Sequence, residues 1–156
     1  PDPVHAYGAA KAEAEVRVAD ADPGAVIVRT SLLWRPDRGP QLVLVQDPSV
    51  TFFTDEVRCP LRADRLAAAC LELVARRDVH GPLHVAGADA VDRLTFARAL
   101  ATAVGRDPDT LRGGPGAPDA ARPRRLVLDT TLARAGLDSP LPGIAGDGPG
   151  REDRHR

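Results

Sequence analysis

An α/β fold, with helices laid against a short sheet, is predicted by three features of this chain. A helix-forming stretch from Val4 to Ala21 is stopped by Pro23-Gly24 and runs into the apolar, β-branched Ala25-Val26-Ile27-Val28, which reads as a buried strand. Between Arg62 and Arg77, the residues Leu66, Ala69, Cys70, Leu73 and Val74 recur at a helical period, and Gly81-Pro82 then breaks the pattern. Leu83-His84-Val85-Ala86 follows as another short apolar strand. Helices alternating with short apolar strands pack as layers on a sheet.

The other elements follow in order. The first strand flows through Arg29-Thr30-Ser31-Leu32-Leu33 to Trp34, and residues 35–40 form a loop. Leu42–Val45 and Val50–Phe53 are apolar runs, and the segment from Trp34 to Phe53 is short enough to suggest a lost helix. A third helix is predicted from Arg93 to Val104, stopped by Gly105. Arg112–Pro118, rich in glycine and proline, reads as loop. Leu126–Leu128 is a last apolar run, before a short helix near Thr131–Ala135. Residues 1–137 are expected to form the folded part, and 138–156, rich in proline, glycine and charge, a disordered tail. No internal repeat is present.

At 156 residues the chain is long enough to bury about 70 % of its unfolded surface. The formal charge of −1 offers no general attraction to nucleic acid or an anionic membrane. No apolar run reaches the roughly 20 residues that span a bilayer. Cys59 and Cys70 are too few for a disulfide framework and too far apart for a zinc knuckle, so free thiols in a cytoplasmic protein are expected. The chain opens on Pro1 rather than methionine, so an upstream segment is expected.

The chemistry is concentrated at Tyr7-Gly8-Ala9-Ala10-Lys11, which holds the only tyrosine and the only lysine of the chain. Four residues apart on a helix, a phenol and an ammonium share one face, with Cβ atoms about 5–6 Å apart. A charge about 5 Å away stabilises a phenolate by about 3 kcal/mol at an effective dielectric of about 20. A phenol so placed can give up a proton near neutral pH. The face is expected to continue through Ala14 and Val18, leaving Glu13, Glu15 and Arg17 on a solvated side.

Four segments resemble the extended short-chain dehydrogenase/reductases, in particular the dTDP-4-dehydrorhamnose reductase branch. They are Tyr7–Lys11 with Glu13 and Glu15; Val26–Ser31; Phe53–Pro60 running into Ala63-Asp64-Arg65-Leu66-Ala67; and Gly81–Gly87, with Arg122-Pro123 and Leu128-Asp129 beyond. The resemblance covers about residues 4–137. It implies the carboxy-terminal part of a Rossmann-type NAD(P)-binding fold with a small α/β substrate-binding subdomain. It implies an NAD(P)-dependent reductase of a sugar nucleotide or related carbonyl compound, using NADP or NAD. Tyr7 would protonate the substrate carbonyl and Lys11 would assist it and hold the nicotinamide ribose. Thr30 and Ser31 would lie near the nicotinamide, and Arg122 would meet the substrate diphosphate. Trp34 is a candidate for the substrate pocket, and Asp64 is a structural carboxylate at a helix start.

Departures from the family pattern matter as much. No strand–glycine-rich turn–helix for a dinucleotide is present: Gly113-Gly114-Pro115-Gly116 and Gly146–Gly150 follow no buried strand. The serine or threonine that orients the carbonyl would lie upstream of Tyr7, and Leu61 replaces the family's usual threonine. The chain alone is therefore expected to be inactive. The alternative is a non-catalytic regulatory module binding a dinucleotide or sugar nucleotide, or an inactive fragment. The expected partner is a small-molecule substrate, with no nucleic acid or membrane and with a homodimer allowed. No metal site is expected, because Gly81-Pro82 separates His80 from His84.

Overall fold

The computed structural model describes residues 3, 5–117 and 123–146. Helix α1 (Ala6–Ala21) starts at His5, whose Nδ1 accepts the Gly8 N–H at 2.8 Å. That bond satisfies one of the amides a helix start leaves unpaired. The helix ends at Asp22, whose carboxylate takes the Gly24 N–H in the turn that reverses the chain. Strand β1 (Val26–Arg29) then runs back beneath α1.

After β1 come β2 (Leu33–Trp34), α2 (Pro40–Gln46), β3 (Thr51–Phe53), β4 (Val57–Arg58) and β5 (Leu61–Arg62). Then follow α3 (Ala63–Val74), β6 (Gly81–His84), β7 (Val91–Asp92), α4 (Arg93–Ala103), β8 (Arg112–Gly114) and α5 (Thr131–Gly136). The strands pair two by two: β1 with β6, β2 with β5 and β3 with β8 in parallel, and β4 with β7 antiparallel.

Two apolar cores divide the molecule. One joins Leu61, Leu73, Leu83, Val85 and Ala133, uniting α3 and α5 with β5 and β6. The other joins Trp34, Val45, Phe52, Phe96 and Leu100, uniting α2 and α4 with β2 and β3. This is the expected division into a parallel-sheet layer and a smaller α/β subdomain.

Three expectations need correction. First, the segment between Trp34 and Phe53 has a helix after all: Gly39, at φ 107°, turns the chain and Pro40 opens α2. Proline suits a first helical turn because its missing N–H would have no partner there. Second, the glycines at 113–114 form β8 rather than loop. Leu94 packs close here: a Cβ at 113 would lie 2.3 Å from its Cδ2, so a larger residue would need that side chain to shift. Third, the tail does not begin at Asp138. Glu72 accepts the N–H groups of Asp138 and Ser139 at 2.8 and 2.9 Å, and Leu141 is buried in the first core. Residues 147–156 lie outside the described residues.

Candidate active site

None of the sixteen residues of α1 is buried, so something other than apolar packing must hold it to the sheet. Arg29 does so: its Nε donates to Glu15 Oε1 at 2.9 Å and its second nitrogen to Oε2, a bidentate pair half-withdrawn from solvent. Glu15 thus faces the strand, contrary to the expected solvated side, and Ala14 and Val18 are exposed instead. The pairing holds the Glu15 carboxyl below its ordinary value and raises the guanidinium of Arg29. Arg29 is also the register partner of His84, whose Nδ1 lies 3.1 Å from the Asp129 carbonyl.

A pH dependence follows. Glu15 is depressed in the folded state, so its stabilisation is complete above the unfolded carboxyl value of about 4.3. It is lost as pH falls from there through the lower folded value. Glu15→Gln should lower the melting temperature at pH 7 by about 2–4 °C, roughly 1 kcal/mol. The deficit should narrow toward pH 3. An equal deficit at both pH values would contradict the assignment.

This anchor fixes where Tyr7 and Lys11 stand. Tyr7 is eight residues before Glu15, or about 12 Å further along the helix at about 1.5 Å per residue. Because α1 runs antiparallel to β1, that displacement carries Tyr7 past the carboxyl end of β1. Ligands of open α/β sheets bind outside the carboxyl ends of the strands. Lys11 Nζ lies 5.9 Å from the centroid of the Tyr7 ring, and the His5 ring meets Tyr7 edge-on at 6.0 Å between centroids. The two side chains therefore stand together, as the spacing predicts. Tyr7 is 69 % exposed, however, and at that exposure solvent screens most of the attraction estimated from the sequence.

Thr30 and Ser31 follow the carboxyl end of β1. The Thr30 hydroxyl oxygen is buried without a hydrogen-bond partner among the described residues. Ser31 Oγ accepts the Cys59 N–H at 3.2 Å. Trp34 belongs to the second core, 6 % exposed and edge-on to Phe96. It also borders a pocket of about 250 Å³ lined by Arg35, Arg38 and Gln41, and its own Nε1 has no partner among the described residues. Arg122 lies outside the described residues. Asp64 stands in the first turn of α3, paired with Arg62. Cys59 and Cys70 are free thiols.

Residues 1–143 match the family model described as RmlD substrate binding domain. The chain belongs to this family. It is 34 % identical over 145 residues to a dTDP-4-dehydrorhamnose reductase of Mycolicibacterium smegmatis, covering 86 % of this chain and 44 % of that protein. It is 32 % identical over 160 residues to a Haloferax volcanii protein named as a low-salt glycan biosynthesis reductase, covering 94 % and 53 %. Among solved structures, the dTDP-4-dehydrorhamnose reductase of Bacillus anthracis, in complex with NADP, superposes with a TM-score of 0.78 at 19 % identity. That superposition covers 94 % of this chain and 54 % of the other, and it shows the Rossmann-type reductase fold. The chain spans about half the length of the curated relatives it matches.

Within the RmlD substrate-binding domain, the structure also brings together residues that sequence reasoning passed over. Asp55, Glu56, Arg58 and Arg124 ring two neighbouring pockets that share Phe53 and Glu56. Glu56 and Arg58 form a largely buried ion pair, and Arg124 donates to Asp55. The signal available was the run Asp55-Glu56-Val57-Arg58, an unusual density of charge between two apolar strands.

Proposed function

We propose that this chain is the substrate-binding half of an NAD(P)-dependent reductase of a sugar nucleotide or related carbonyl compound. One observation carries the reading: a phenol and the chain's sole lysine ammonium stand together on the helix that Arg29, the last residue of a parallel strand, ties down through Glu15. They do so in a domain whose family is described as substrate-binding. The dinucleotide, when bound, supplies the hydride that reaches the carbonyl carbon. Tyr7 Oη hydrogen-bonds the carbonyl oxygen and gives it the proton, and the Lys11 ammonium stabilises the phenolate left behind. Thr30 supports a cofactor at this edge, because its buried hydroxyl has no partner among the described residues and such groups are expensive to leave unpaired.

The names of the relatives point to a dTDP-linked keto sugar as the substrate and to NADP as one acceptable cofactor. The same reading has the protein act on small molecules in the cytoplasm and allows a homodimer. Among the described residues no helix is long and apolar enough to cross a membrane.

The second reading, a binding module without catalysis, is favoured by the openness of Tyr7. The test uses a polypeptide that joins this chain to the half its relatives add. Addition of a dTDP-4-keto sugar should drive oxidation of NADPH. Tight binding of both molecules with no oxidation would select the module.

A further inference from the structure

Tyr7 is exposed and no residue of α1 is buried, so packing does not fix the turn that carries the phenol. Hydrogen bonds at the helix start must hold it instead. Tyr7 is the second residue of α1, and two bonds that close over it both end on His5. The His5 carbonyl accepts the Ala9 N–H at 3.0 Å, and His5 Nδ1 accepts the Gly8 N–H at 2.8 Å. His5 itself is extended, at φ −155° and ψ 164°, as suits a residue that caps a helix start. No acidic side chain stands in the first turn to offset the partial positive charge there. The ring nitrogen does that work.

The ring is seated as well as bonded. It meets the Tyr7 ring edge-on with centroids 6.0 Å apart, while Lys11 Nζ flanks the phenol at 5.9 Å from the next turn. Gly8 leaves room for it. A Cβ at Gly8 would lie 3.0 Å from His5 Nδ1, 3.2 Å from its Cε1 and 3.1 Å from Pro3 Cβ. Contacts that close would make the imidazole shift, and a shift weakens its bond to the Gly8 amide.

We infer that His5 is a positioning residue for Tyr7: its Nδ1 closes the first turn of α1 and so holds the phenol in its working direction. The smallness of Gly8 is the second half of the same device. The inference deepens the reading of Tyr7 as proton donor given above and adds no ligand to it. His5 acts through Tyr7 and transfers no proton itself, so its loss falls on kcat rather than on KM.

The test has a structural arm on this chain and a kinetic arm on the polypeptide that joins it to the half its relatives add. In the first, NMR follows exchange of the Gly8 amide with solvent. His5→Ala should speed that exchange about fivefold, the scale of one lost helix cap. His5→Asn supplies a side-chain oxygen that caps a helix well, and should keep the wild-type rate. Helix ends open at almost no free-energy cost, so a shift of that size empties much of the held conformer. In the kinetic arm, His5→Ala should therefore lower kcat about threefold or more with KM within about twofold, since misplacing a reacting group costs rate. His5→Asn should restore kcat. Gly8→Ala should lower kcat when His5 is present but not in combination with His5→Asn, whose smaller side chain clears the added methyl. Unchanged Gly8 exchange in His5→Ala, or a kcat that His5→Asn fails to restore, would overturn the role of His5. Normal turnover in Tyr7→Phe would instead strike the proton-donor reading and leave the exchange result standing.

Discussion

Tyr7→Phe, in a polypeptide carrying both this chain and the half its relatives add, should lower kcat by about 10²–10⁴-fold, the usual worth of a positioned general acid. KM should stay within about threefold, because the substitution removes one oxygen and little else. The phenylalanine ring keeps its place on α1, its edge contact with His5 and its position beside Lys11. No α1 residue is buried, so the change opens no cavity and the fold should not register it. Unchanged melting with collapsed turnover is the expected combination. Normal turnover of the phenylalanine variant, measured as NADPH oxidation, would show that Tyr7 is not the proton donor.

Gly87→Ala should be the most damaging of the small substitutions to the fold itself. Gly87 is buried where the chain beyond β6 passes Pro60 and Pro142. A Cβ there would lie 1.9 Å from the Pro60 carbonyl oxygen, a backbone atom that no rotamer change can move aside. Relieving that overlap means displacing the Pro60 backbone just ahead of β5 or the end of β6. Overpacking of this kind costs about 3 kcal/mol, or roughly 6–12 °C in melting temperature for a domain of this size. Gly136→Ala is the matched control, since a Cβ at Gly136 meets nothing within 4 Å. Melting of the two variants side by side separates steric conflict from the general effect of losing a glycine. Similar midpoints would contradict the close approach at Gly87.

Much of the architecture was legible because a few elements carry strong local signals. α1 ends at Pro23-Gly24, β1 is a β-branched run, and α3 and α4 follow a helical period and stop at glycine or polar turns. The failures have physical causes. α2 is one short helix of seven residues, and its apolar core Leu42–Val45 has no period long enough to separate helix from strand. β8 is written in glycine, which disfavours strands except where another side chain presses close, and Leu94 does so from a distant part of the sequence. Residues 138–146 carry a loop composition, yet Glu72 and the core around Leu141 hold them. Those partners are distant in sequence, and composition cannot name them.

The site divides in the same way. Tyr7 and Lys11 were legible because both lie within one helical turn. Glu15 was misplaced because its partner Arg29 is on another element, and local charge alternation mimics a solvated face. Asp55 showed only as one charge in the run Asp55-Glu56-Val57-Arg58, because its two partners are some sixty and seventy positions away. Long-range carboxylate ties of this kind leave no mark in local spacing.

The central claim is that this chain presents a carbonyl to a bound dinucleotide, with Tyr7 set to protonate the oxygen. The most direct measurement follows deuterium from C4 of labelled NADPH into a dTDP-4-keto sugar, using the polypeptide that carries both halves. Deuterium recovered on the former carbonyl carbon of the sugar, and lost in Tyr7→Phe, is the predicted result. A sugar returned unlabelled and unreduced, although both molecules bind, would contradict the claim.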